Sequence, residues 1–588
     1  MTEHASNFNR RQFVKGVALA SVAASGIVDL SAKETPQDFD KSRVLSGDEF
    51  FLNIASTPVN ITGKPAMATT VNGQLSGPTL RFKEGQDVTI HVTNHLKEDS
   101  SIHWHGIILP THMDGVPNIS FDGIKPGETF TYKFKIQQSG TYWYHSHSGF
   151  QEQTGVYGAI VIDPIEPDPY EFDRDYVVGL SDWSDEKPSN IYRKLKIMGD
   201  YYNFKQRTVG DFFSEVKEKG FFNAFNERKM WNEMAMTDRD LSDVTGYTYT
   251  YLMNGYNPAS NFKALFKKGE KIRLRFINSS AMTFFDVQIP GLKMKVVAAD
   301  GNNVMPVDVD EFRIGVAETY DVIVEPEDDK AYSIFAQSFD RSGYAVGSLT
   351  YDKNIEAVIP QMDPLPILSH SDMGMNMGSM NHSDMKDEMP SMKKSTAMKC
   401  GGGMVMPMEV PKLKKKIPIT PMEVKWGVHT TMRAEDPQYR LNDPGAGLRD
   451  NGRKVLTYAD LKSLRSSKDD KYPDREIILH LTGNMERYMW SINGINYADS
   501  KPLEFHYGER LRITYINDTM MNHPMHLHGM WSDLETGDEN HLLRKHTIIV
   551  QPGSKISFRV TVDAKGSWAY HCHLIYHMAG MFRKVVVA

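Results

Sequence analysis

The stretch Gly508-Glu509-Arg510-Leu511-Arg512-Ile513-Thr514-Tyr515-Ile516-Asn517 has two counterparts earlier in the chain, beginning at Gly85 and Gly269. In all three, a closing asparagine lies nine positions after the glycine, and apolar and polar residues alternate between them. Such alternation is typical of a half-buried strand. An Asn-Gly pair, the usual residue pair of a tight hairpin turn, precedes each copy. The chain is therefore predicted to be one β-domain repeated three times.

A second repeat distinguishes the outer copies from the middle one. Pro126-Gly127 and Pro552-Gly553 each begin a strand that leads, with identical spacing, to His145 and His571. The middle copy keeps the strand, but Ser333-Ile334-Phe335-Ala336-Gln337 stands where histidines would follow. We expect the outer domains to carry the chemistry and the middle domain to act as a structural spacer and wall.

Many short strands separated by Gly and Pro turns predict an all-β protein built of Greek-key sandwiches or barrels. The expected parts follow the repeats along the chain. They are domain one (46–165), domain two (170–360) with an irregular or partly helical insertion (about 185–245) that serves packing, a flexible Met-rich segment (361–412), and domain three (413–588) with a polar loop (432–473).

Charge and targeting signals bear on location. A net charge of −7 gives no reason to expect nucleic acid as a partner. Asn9-Arg10-Arg11-Gln12-Phe13-Val14-Lys15 and the apolar run that follows resemble a twin-arginine signal, which predicts a signal peptide over 1–32, a twin-arginine (Tat) machinery partner and a periplasmic location. The alternative is a basic arm before a core helix. Because no other stretch approaches a membrane span, we expect no stable membrane insertion after processing.

Four His-x-His pairs are the strongest functional signal. They are His103-Trp104-His105, His145-Ser146-His147, His526-Leu527-His528 and His571-Cys572-His573. On a strand this spacing puts both imidazoles on one face, where they can converge on a metal ion. A lone histidine is usually an ordinary polar residue, but pairs at equivalent points of two repeats predict metal binding.

The segment Trp568–Met581 links two sites. On a strand Cys572 points away from His571 and His573, so one strand serves both sites. Cys572, His577 and Met581, completed by His523, are the thiolate, imidazole and thioether set of a blue-copper electron-transfer site. The eight paired histidines are too many for one metal ion and suit three copper ions between domains one and three. A one-electron centre joined to a three-metal cluster indicates dioxygen as the acceptor.

At these residues the chain resembles the multicopper oxidases along nearly all of its predicted mature length. The resemblance implies three cupredoxin-like domains and four copper ions that pass four electrons from a reductant to O2. It also implies a ligand set for each copper ion, by position in this sequence. The type 1 copper would take His523, Cys572, His577 and Met581, the type 2 copper His103 and His526, and the type 3 pair His105, His145 and His573 together with His147, His528 and His571.

This chain departs from the family pattern at two places. The axial ligand usually lies five positions after the type 1 histidine, but here Met581 is fourth after His577 and Phe582 is fifth. The prediction favours Met581 as the axial ligand, the alternative being Phe582 beside a three-coordinate copper. An acid often found after the type 1 histidine is replaced by Met578. Asp114 matches the family's acid beside the trinuclear site and is the candidate proton relay; the alternative is a turn aspartate.

The segment from Met373 to Met408, both included, contains eleven methionines among glycine, serine and lysine, with little that could form a core. Soft thioethers select Cu(I), so this segment predicts extra copper binding; the alternative is a low-complexity linker. Cys400, in the same segment, is a soft ligand or merely a reactive thiol. The candidate ligands of substrate Cu(I) are Met373, Met375, Met377, Met380, Met404, Met406 and Met408.

The chain resembles the periplasmic copper-resistance oxidases of Gram-negative bacteria, the CopA/PcoA type, in three features. They are an exported three-domain oxidase, a Met-rich insertion, and Tyr576-His577-Met578 after the His-Cys-His motif. The resemblance implies oxidation of Cu(I) to Cu(II), and we expect electrons to enter by a partly exposed edge of His577. Two alternatives are a laccase-like oxidase of phenols or other small organic reductants and a protein that mainly sequesters copper.

Overall fold

The computed structural model describes residues 43–233, 236–375, 408, 413, 415–468 and 470–588. Within this range, residues 44–588 belong to one compact unit. The predicted signal peptide, Cys400 and the methionines Met377, Met380, Met404 and Met406 lie outside the described residues.

Domain one consists of two sheets. Their strands are β1 (Val44–Ser46), β2 (Glu49–Asn60), β3 (Pro65–Val71), β4 (Gly77–Lys83), β5 (Asp87–Asn94), β6 (His103–His105), β7 (Thr129–Lys135), β8 (Gly140–His145) and β9 (Tyr157–Asp163). The sheet orders are β1-β4-β9-β8-β6 and β3-β2-β5-β7. In β5, apolar residues that are buried alternate with half-buried polar ones, as the sequence predicts. Because β6 pairs with β8, the first two His-x-His pairs lie side by side, with His103 opposite His145.

Domain two repeats this arrangement. Its strands are β10 (Arg174–Trp183), β11 (Thr250–Met253), β12 (Phe262–Leu265), β13 (Ile272–Asn278), β14 (Phe285–Gln288), β15 (Met294–Ala299), β16 (Asn302–Val309), β17 (Glu311–Ile314), β18 (Thr319–Val324), β19 (Tyr332–Ser338) and β20 (Tyr344–Thr350). The sheet orders are β11-β10-β13-β18-β15-β16 and β12-β20-β19-β14-β17.

Domain three has the same two-sheet plan. Its strands are β21 (Ile419–Thr420), β22 (Gln438–Tyr439), β23 (Arg475–Asn484), β24 (Met489–Ile492), β25 (Leu503–Phe505), β26 (Arg510–Asn517), β27 (His523–Leu527), β28 (Ser532–Leu534), β29 (Leu543–Lys545), β30 (Thr547–Val550), β31 (Ser554–Thr561), β32 (Gly566–Cys572) and β33 (Phe582–Val587). One sheet runs β21-β23-β26-β31-β28-β29, with β22 and β24 at its sides, and the other runs β25-β33-β32-β27-β30.

The predicted Asn-Gly turns are present in all three domains. Asn72, Asn254 and Asn493 have φ values of 54°, 51° and 52°, the left-handed conformation that a type I′ turn requires. The side-chain oxygen of each asparagine accepts a 2.7 Å hydrogen bond from a backbone N–H, at residues 53, 179 and 480. Each donor lies on the strand that pairs with the one directly before the turn. The same turn with the same hydrogen bond in each copy confirms the threefold repeat.

The insertion in domain two forms three helices, α1 (Pro188–Ile197), α2 (Val209–Lys219) and α3 (Phe221–Glu233). Thr208 caps α2 by accepting a hydrogen bond from the backbone N–H of Asp211. Ile191 and Leu195 on α1 are fully buried, so this helix packs on the core as the sequence indicates. Residues 236–249 then return the chain to β11.

The beginning of the Met-rich segment differs from the prediction. Ser369 caps a short 3-10 turn, His370–Met373, and the side chain of Met373 is completely buried in the main core. Met375 and Met408 are half-buried against the same core. The prediction of a flexible segment is therefore wrong for residues 361–375, and Met373 is a core residue rather than an accessible copper ligand. The reason is local: the capping box of Ser369 and Asp372 orders the backbone and turns Met373 inward.

Within the described residues no helix combines the length and the apolar character needed to cross a membrane.

Candidate metal centres

Strand β32 and the short helix after it, α4 (Ile575–Met578), carry residues of two separate sites. β32 pairs with β27 on one side and with β33 on the other. His571 lies opposite His526 in this ladder, and Cys572 lies opposite Met525. Because successive side chains of a strand point to opposite faces, the thiol is directed away from the imidazoles on either side of it.

The first site brings together Cys572, His523 and His577. Cys572 Sγ lies 3.5 Å from Nδ1 of His523 and 3.8 Å from Nδ1 of His577, and the two Nδ1 atoms are 3.4 Å apart. All three side chains have no exposed surface. Burial raises the pKa of the Cys572 thiol and lowers the pKa of both imidazoles. One thiol and two imidazole nitrogens that converge in this way form a donor set suited to copper or zinc.

The position of Phe582 excludes it from this first site. Its ring stacks on the ring of His571, with centroids 5.4 Å apart and 6° between the planes. It therefore lies on the side of the eight imidazoles, in a small cluster with Val116 and Ala569. Met581 is fully buried and belongs to the same core as Cys572. Its backbone oxygen accepts a 3.0 Å hydrogen bond from the N–H of Cys572.

His577 is enclosed on every side. Its exposed fraction is 0%, the Trp490 ring stacks on it at 3.8 Å, and its Nε2 donates a 2.7 Å hydrogen bond to Oδ2 of Asp243. The prediction of a partly exposed imidazole edge is therefore wrong. The reason is that residues 236–249, after the helices of domain two, pack over this part of domain three and bring Asp243 against the ring.

Asp243 reaches a pocket of about 400 Å³. Four thioethers and four carboxylates are among the side chains that line it. They are Met198, Met236, Met485 and Met521 together with Asp200, Asp240, Asp243 and Glu486. Asp243 is nearly fully buried, whereas Asp200 and Glu486 are exposed. The pocket therefore extends from solvent to a carboxylate that is hydrogen-bonded to His577.

The eight paired histidines form the second site. The structure brings them together in three groups, in each of which the nitrogens lie within 4.8 Å of one another. The groups are His103, His526 and His528; His105, His145 and His573; and His147, His528 and His571. Seven of these side chains are buried, and His147 is half-buried. Domains one and three contribute equally, as the repeat predicts.

The hydrogen bonds of these imidazoles leave one nitrogen of several rings free to bind a metal. Nδ1 of His103 and of His526 lies 2.7 and 2.6 Å from a backbone oxygen, while the Nε2 atoms of both rings are buried without a partner. Burial lowers the pKa of His145 and His528 well below the usual value, and it lowers the pKa of His571 to about 3. Neutral imidazoles with an anchored Nδ1 and an unpartnered Nε2 are suited to metal binding.

Two buried carboxylates contact this second site. Oδ2 of Asp114 lies 2.9 Å from Nδ1 of His528, and its Oδ1 lies 3.4 Å from Nδ1 of His103. Asp114 is therefore a buried neighbour of the imidazoles as well as a turn residue. Glu152 lies 2.8 Å from Nδ1 of His145 and 3.6 Å from Nδ1 of His573, and burial raises its pKa well above the usual value.

Sequence reasoning missed Glu152, Asp243 and His546, a further histidine beside His105 and His526. None of them belongs to a His-x-His pair. A weak signal existed only for Glu152, which follows the motif His145-Ser146-His147 within a few residues. Asp243 also corrects the view of the middle domain as a spacer, because this domain supplies a carboxylate to the first site.

A buried thiol and imidazole site, joined through one strand to eight further imidazoles, defines a copper-dependent oxidase. Family models described as multicopper oxidase match residues 53–167, 174–354 and 470–588. The chain belongs to the multicopper oxidase family and is an oxidoreductase that uses copper.

Three relatives are similar along almost their whole length. Copper resistance protein A of Escherichia coli is 54% identical, with 98% of this chain and 99% of the relative covered. The copper resistance protein A homolog of Pseudomonas syringae pv. tomato is also 54% identical, with the same coverage. Multicopper oxidase MmcO of Mycobacterium tuberculosis is 30% identical over 98% of this chain and 95% of its own length.

Solved structures support the fold. Fet3p, a multicopper oxidase that functions in iron import, has a TM-score of 0.62 at 18% identity, covering 92% of this chain and 90% of its own. The laccase from Botrytis aclada has a TM-score of 0.60 at 20% identity, with 92% and 88% covered. At this identity the likeness confirms the three cupredoxin-like domains alone.

Proposed function

We propose that this protein oxidises Cu(I) to Cu(II), coupled to the four-electron reduction of O2 to water, as part of copper tolerance in the periplasm. The observation that carries the proposal is the hydrogen bond between Asp243 and His577. It connects a pocket lined by thioethers and carboxylates to the buried thiol and imidazole site.

Four resident copper ions are part of the proposal. When bound, they would accept electrons singly and deliver four together to O2. Groups of converging ligand atoms support the assignment for the type 3 pair and for three of the type 1 ligands. The proposed ligands are His523, Cys572, His577 and Met581 for type 1; His103 and His526 for type 2; and His105, His145 and His573 with His147, His528 and His571 for type 3.

The chain's own residues link these sites and handle protons. Cys572 is covalently joined to His571 and His573, so a few backbone bonds separate the two sites. Asp114 contacts His103 and His528, and we assign it a part in proton supply to reduced oxygen. Glu152 occupies the corresponding place beside His145 and His573. We assign to it the part in proton supply of the acid that is absent at position 578.

The pocket beside Asp243 favours Cu(I) as the substrate. Soft thioethers prefer Cu(I), and carboxylates attract a cation and favour the more highly charged Cu(II) product. An organic phenol would instead favour a mainly apolar and aromatic pocket. Methionines between residues 376 and 407 would raise the local Cu(I) concentration, while Met373 is excluded from this role by its burial.

The relatives support the physiological part of the proposal. Two of them are called copper resistance protein A or its homolog, and both match nearly the full length of this chain. The proposal also includes a twin-arginine signal over residues 1–32, the Tat machinery as export partner and a periplasmic location. In the periplasm the protein would meet Cu(I) together with O2.

The experiment is steady-state O2 uptake by purified, copper-loaded protein with Cu(I) or a phenol as the electron donor. Cu(I) should support faster uptake than the phenol. A variant lacking residues 376–407 keeps the packed residues on either side, and it should lose Cu(I) oxidation at low Cu(I) while retaining phenol oxidation. An equal loss with both donors would make the segment structural. A faster reaction with the phenol would favour the laccase-like alternative, and no uptake with either donor would leave copper sequestration.

A variant in the pocket separates the binding of substrate Cu(I) from electron transfer to the type 1 copper. Replacing Met485 with leucine removes a thioether from the pocket while nearly preserving the side-chain volume. We expect a raised KM for Cu(I) and an unchanged KM for the phenol. Met489→Leu is the matched control, because Met489 is half-buried on the neighbouring strand and does not line the pocket.

A further inference from the structure

Tyr488 is a buried tyrosine at the turn between β23 and β24. Only 1% of it is exposed, and its φ of 48° places it in the left-handed region. A bulky residue rarely adopts this conformation, because its Cβ crowds the backbone, so the surrounding contacts must hold it there. One contact comes from domain two, where Nζ of Lys196 on helix α1 donates a 2.8 Å hydrogen bond to the backbone oxygen of Tyr488. A held outlier of this kind is characteristic of functional sites.

The side chain of Tyr488 faces the first site. Its hydroxyl donates a 3.0 Å hydrogen bond to Oδ2 of Asp243, the oxygen that also accepts the 2.7 Å hydrogen bond from Nε2 of His577. A carboxylate can only accept, so both groups are donors to one oxygen. The Tyr488 ring stands edge-on to the rings of Trp490 and His577, with centroids 5.7 and 5.9 Å away. The hydroxyl and the imidazole therefore share one buried acceptor.

This acceptor is the charged partner of the first site. Nε2 of His523, the other imidazole, lies 2.7 Å from the neutral hydroxyl of Thr519. Among the described residues, Asp243 is the one carboxylate within hydrogen-bond distance of either imidazole. A group that changes the charge on Asp243 therefore acts on the first site through His577 alone.

Sharing the oxygen weakens the effect of Asp243 on His577. A carboxylate partner raises the basicity of a metal-bound histidine, and a more basic ligand stabilises Cu(II) relative to Cu(I). A second donor draws part of the carboxylate's charge to itself, because hydrogen bonds to an ionised group are strong and are little screened in the interior. The Tyr488 hydroxyl therefore reduces the pull of Asp243 on the proton of His577.

We propose that the Tyr488 hydroxyl raises the reduction potential of the copper ion at the first site by sharing the Asp243 carboxylate with His577. The inference rests on the proposed copper content of that site. The hydroxyl touches none of the proposed copper ligands, so Tyr488 is a positioning residue that acts through Asp243. Lys196 holds its backbone from helix α1, and domain two therefore contributes to the potential of a copper ion in domain three.

The first test is Tyr488→Phe, which removes the hydroxyl but keeps the ring and the backbone bond from Lys196. A redox titration of the blue absorption measures the potential. A hydrogen bond to a charged group is worth at least about tenfold in an equilibrium, and part of this reaches the copper. The equilibrium constant for reduction should fall about three- to tenfold, which is roughly 30–60 mV for one electron. An unchanged or raised potential would overturn the inference.

A stronger donor at the same position should have the opposite effect. Difluorotyrosine incorporated at position 488 has a more acidic hydroxyl at nearly the same size, so the potential should rise above that of the unmodified protein. A potential that falls or stays constant would overturn the inference, even if Tyr488→Phe did not fold. A colourless copper-loaded protein would instead contradict the proposed function, so the two failures are distinguishable.

Tyr202→Phe is the matched control. Tyr202 is also fully buried, and its hydroxyl donates a 2.8 Å hydrogen bond to a carboxylate, Oε2 of Glu186, that does not contact the first site. The potential of this variant should equal that of the unmodified protein. A shift as large as that of Tyr488→Phe would reveal a general effect of losing a buried hydroxyl and would overturn the assignment to Tyr488.

Discussion

Oδ2 of Asp243 accepts a 2.7 Å hydrogen bond from Nε2 of His577, although 334 residues separate the two in the chain. The same oxygen accepts a 3.0 Å hydrogen bond from the hydroxyl of Tyr488. Since His577 has no exposed surface, this carboxylate is the contact between the buried imidazole and the pocket.

Replacing Asp243 with asparagine should reduce Cu(I) oxidation by about 10- to 100-fold, the usual effect of losing a carboxylate partner of a metal-bound histidine. Asparagine keeps an acceptor for His577 but removes the negative charge that attracts the cation. Phenol oxidation should fall less, and the ratio of the two rates measures the difference. Asp185→Asn is the control, because Asp185 is exposed and lies just before helix α1 of the insertion that also carries Asp243. Equal losses with both donors would show that the carboxylate acts only by positioning His577.

Replacement of Met581 and of Phe582 should have different effects. Met581→Gln should lower the reduction potential of the type 1 copper and alter its paramagnetic resonance spectrum, because an axial thioether tunes these properties. Phe582→Leu should leave both unchanged, because the ring stacks on His571 on the other side of the strand. A shift in potential from the Phe582 variant and none from the Met581 variant would contradict the proposed axial ligand.

Glu152→Gln should slow the reaction with O2 and leave reduction of the type 1 copper unchanged. The side chain contacts His145 and His573 but lies in the second site alone. A loss of about 10- to 100-fold in the rate of reoxidation is expected from a carboxylate in this position. Stopped-flow absorbance follows anaerobic bleaching and aerobic return of the blue band separately. Slower bleaching in the variant would argue against this assignment, and the exposed Glu166→Gln provides the control.

Lys545→Met should destabilise the contact between domains two and three. The fully buried ammonium pairs with Asp300 at 3.1 Å and with Glu318 at 3.0 Å. Removing one partner of a buried ion pair costs about 3–5 kcal/mol, because uncompensated charge remains. Chemical denaturation of the metal-free protein measures the loss. Lys454→Met, which breaks a half-exposed pair with Asp460, should change the free energy of unfolding by less than about 1 kcal/mol.

The strand pattern made much of this fold and site predictable. Alternation along the strand that ends in His571 and Cys572 sets the two side chains on opposite faces, whatever surrounds them. The Asn-Gly turn and the closing asparagine recur because each makes the same hydrogen bond at the equivalent position of every copy. Contacts of this kind depend on residues close in sequence or on equivalent positions of a repeat, and both are visible in the sequence.

Contacts between distant segments were not predictable in this way. Asp243 lies near the end of an insertion with no counterpart in the other domains, and His546 is a lone histidine of a kind that is usually an ordinary polar residue. Met373 was misjudged for a different reason. Methionine-rich composition suggested a loose segment, but Ser369 and Asp372 form a capping box that turns Met373 into the core.

The central claim is that Cys572, His523 and His577 bind a redox copper ion joined to a copper cluster. The most direct measurement is the absorption and paramagnetic resonance spectrum of the copper-loaded protein beside that of Cys572→Ser. An intense blue band with a type 1 signal in the unmodified protein, both absent from the variant, is the predicted result. A colourless unmodified protein, or a blue band that survives in Cys572→Ser, would contradict the account.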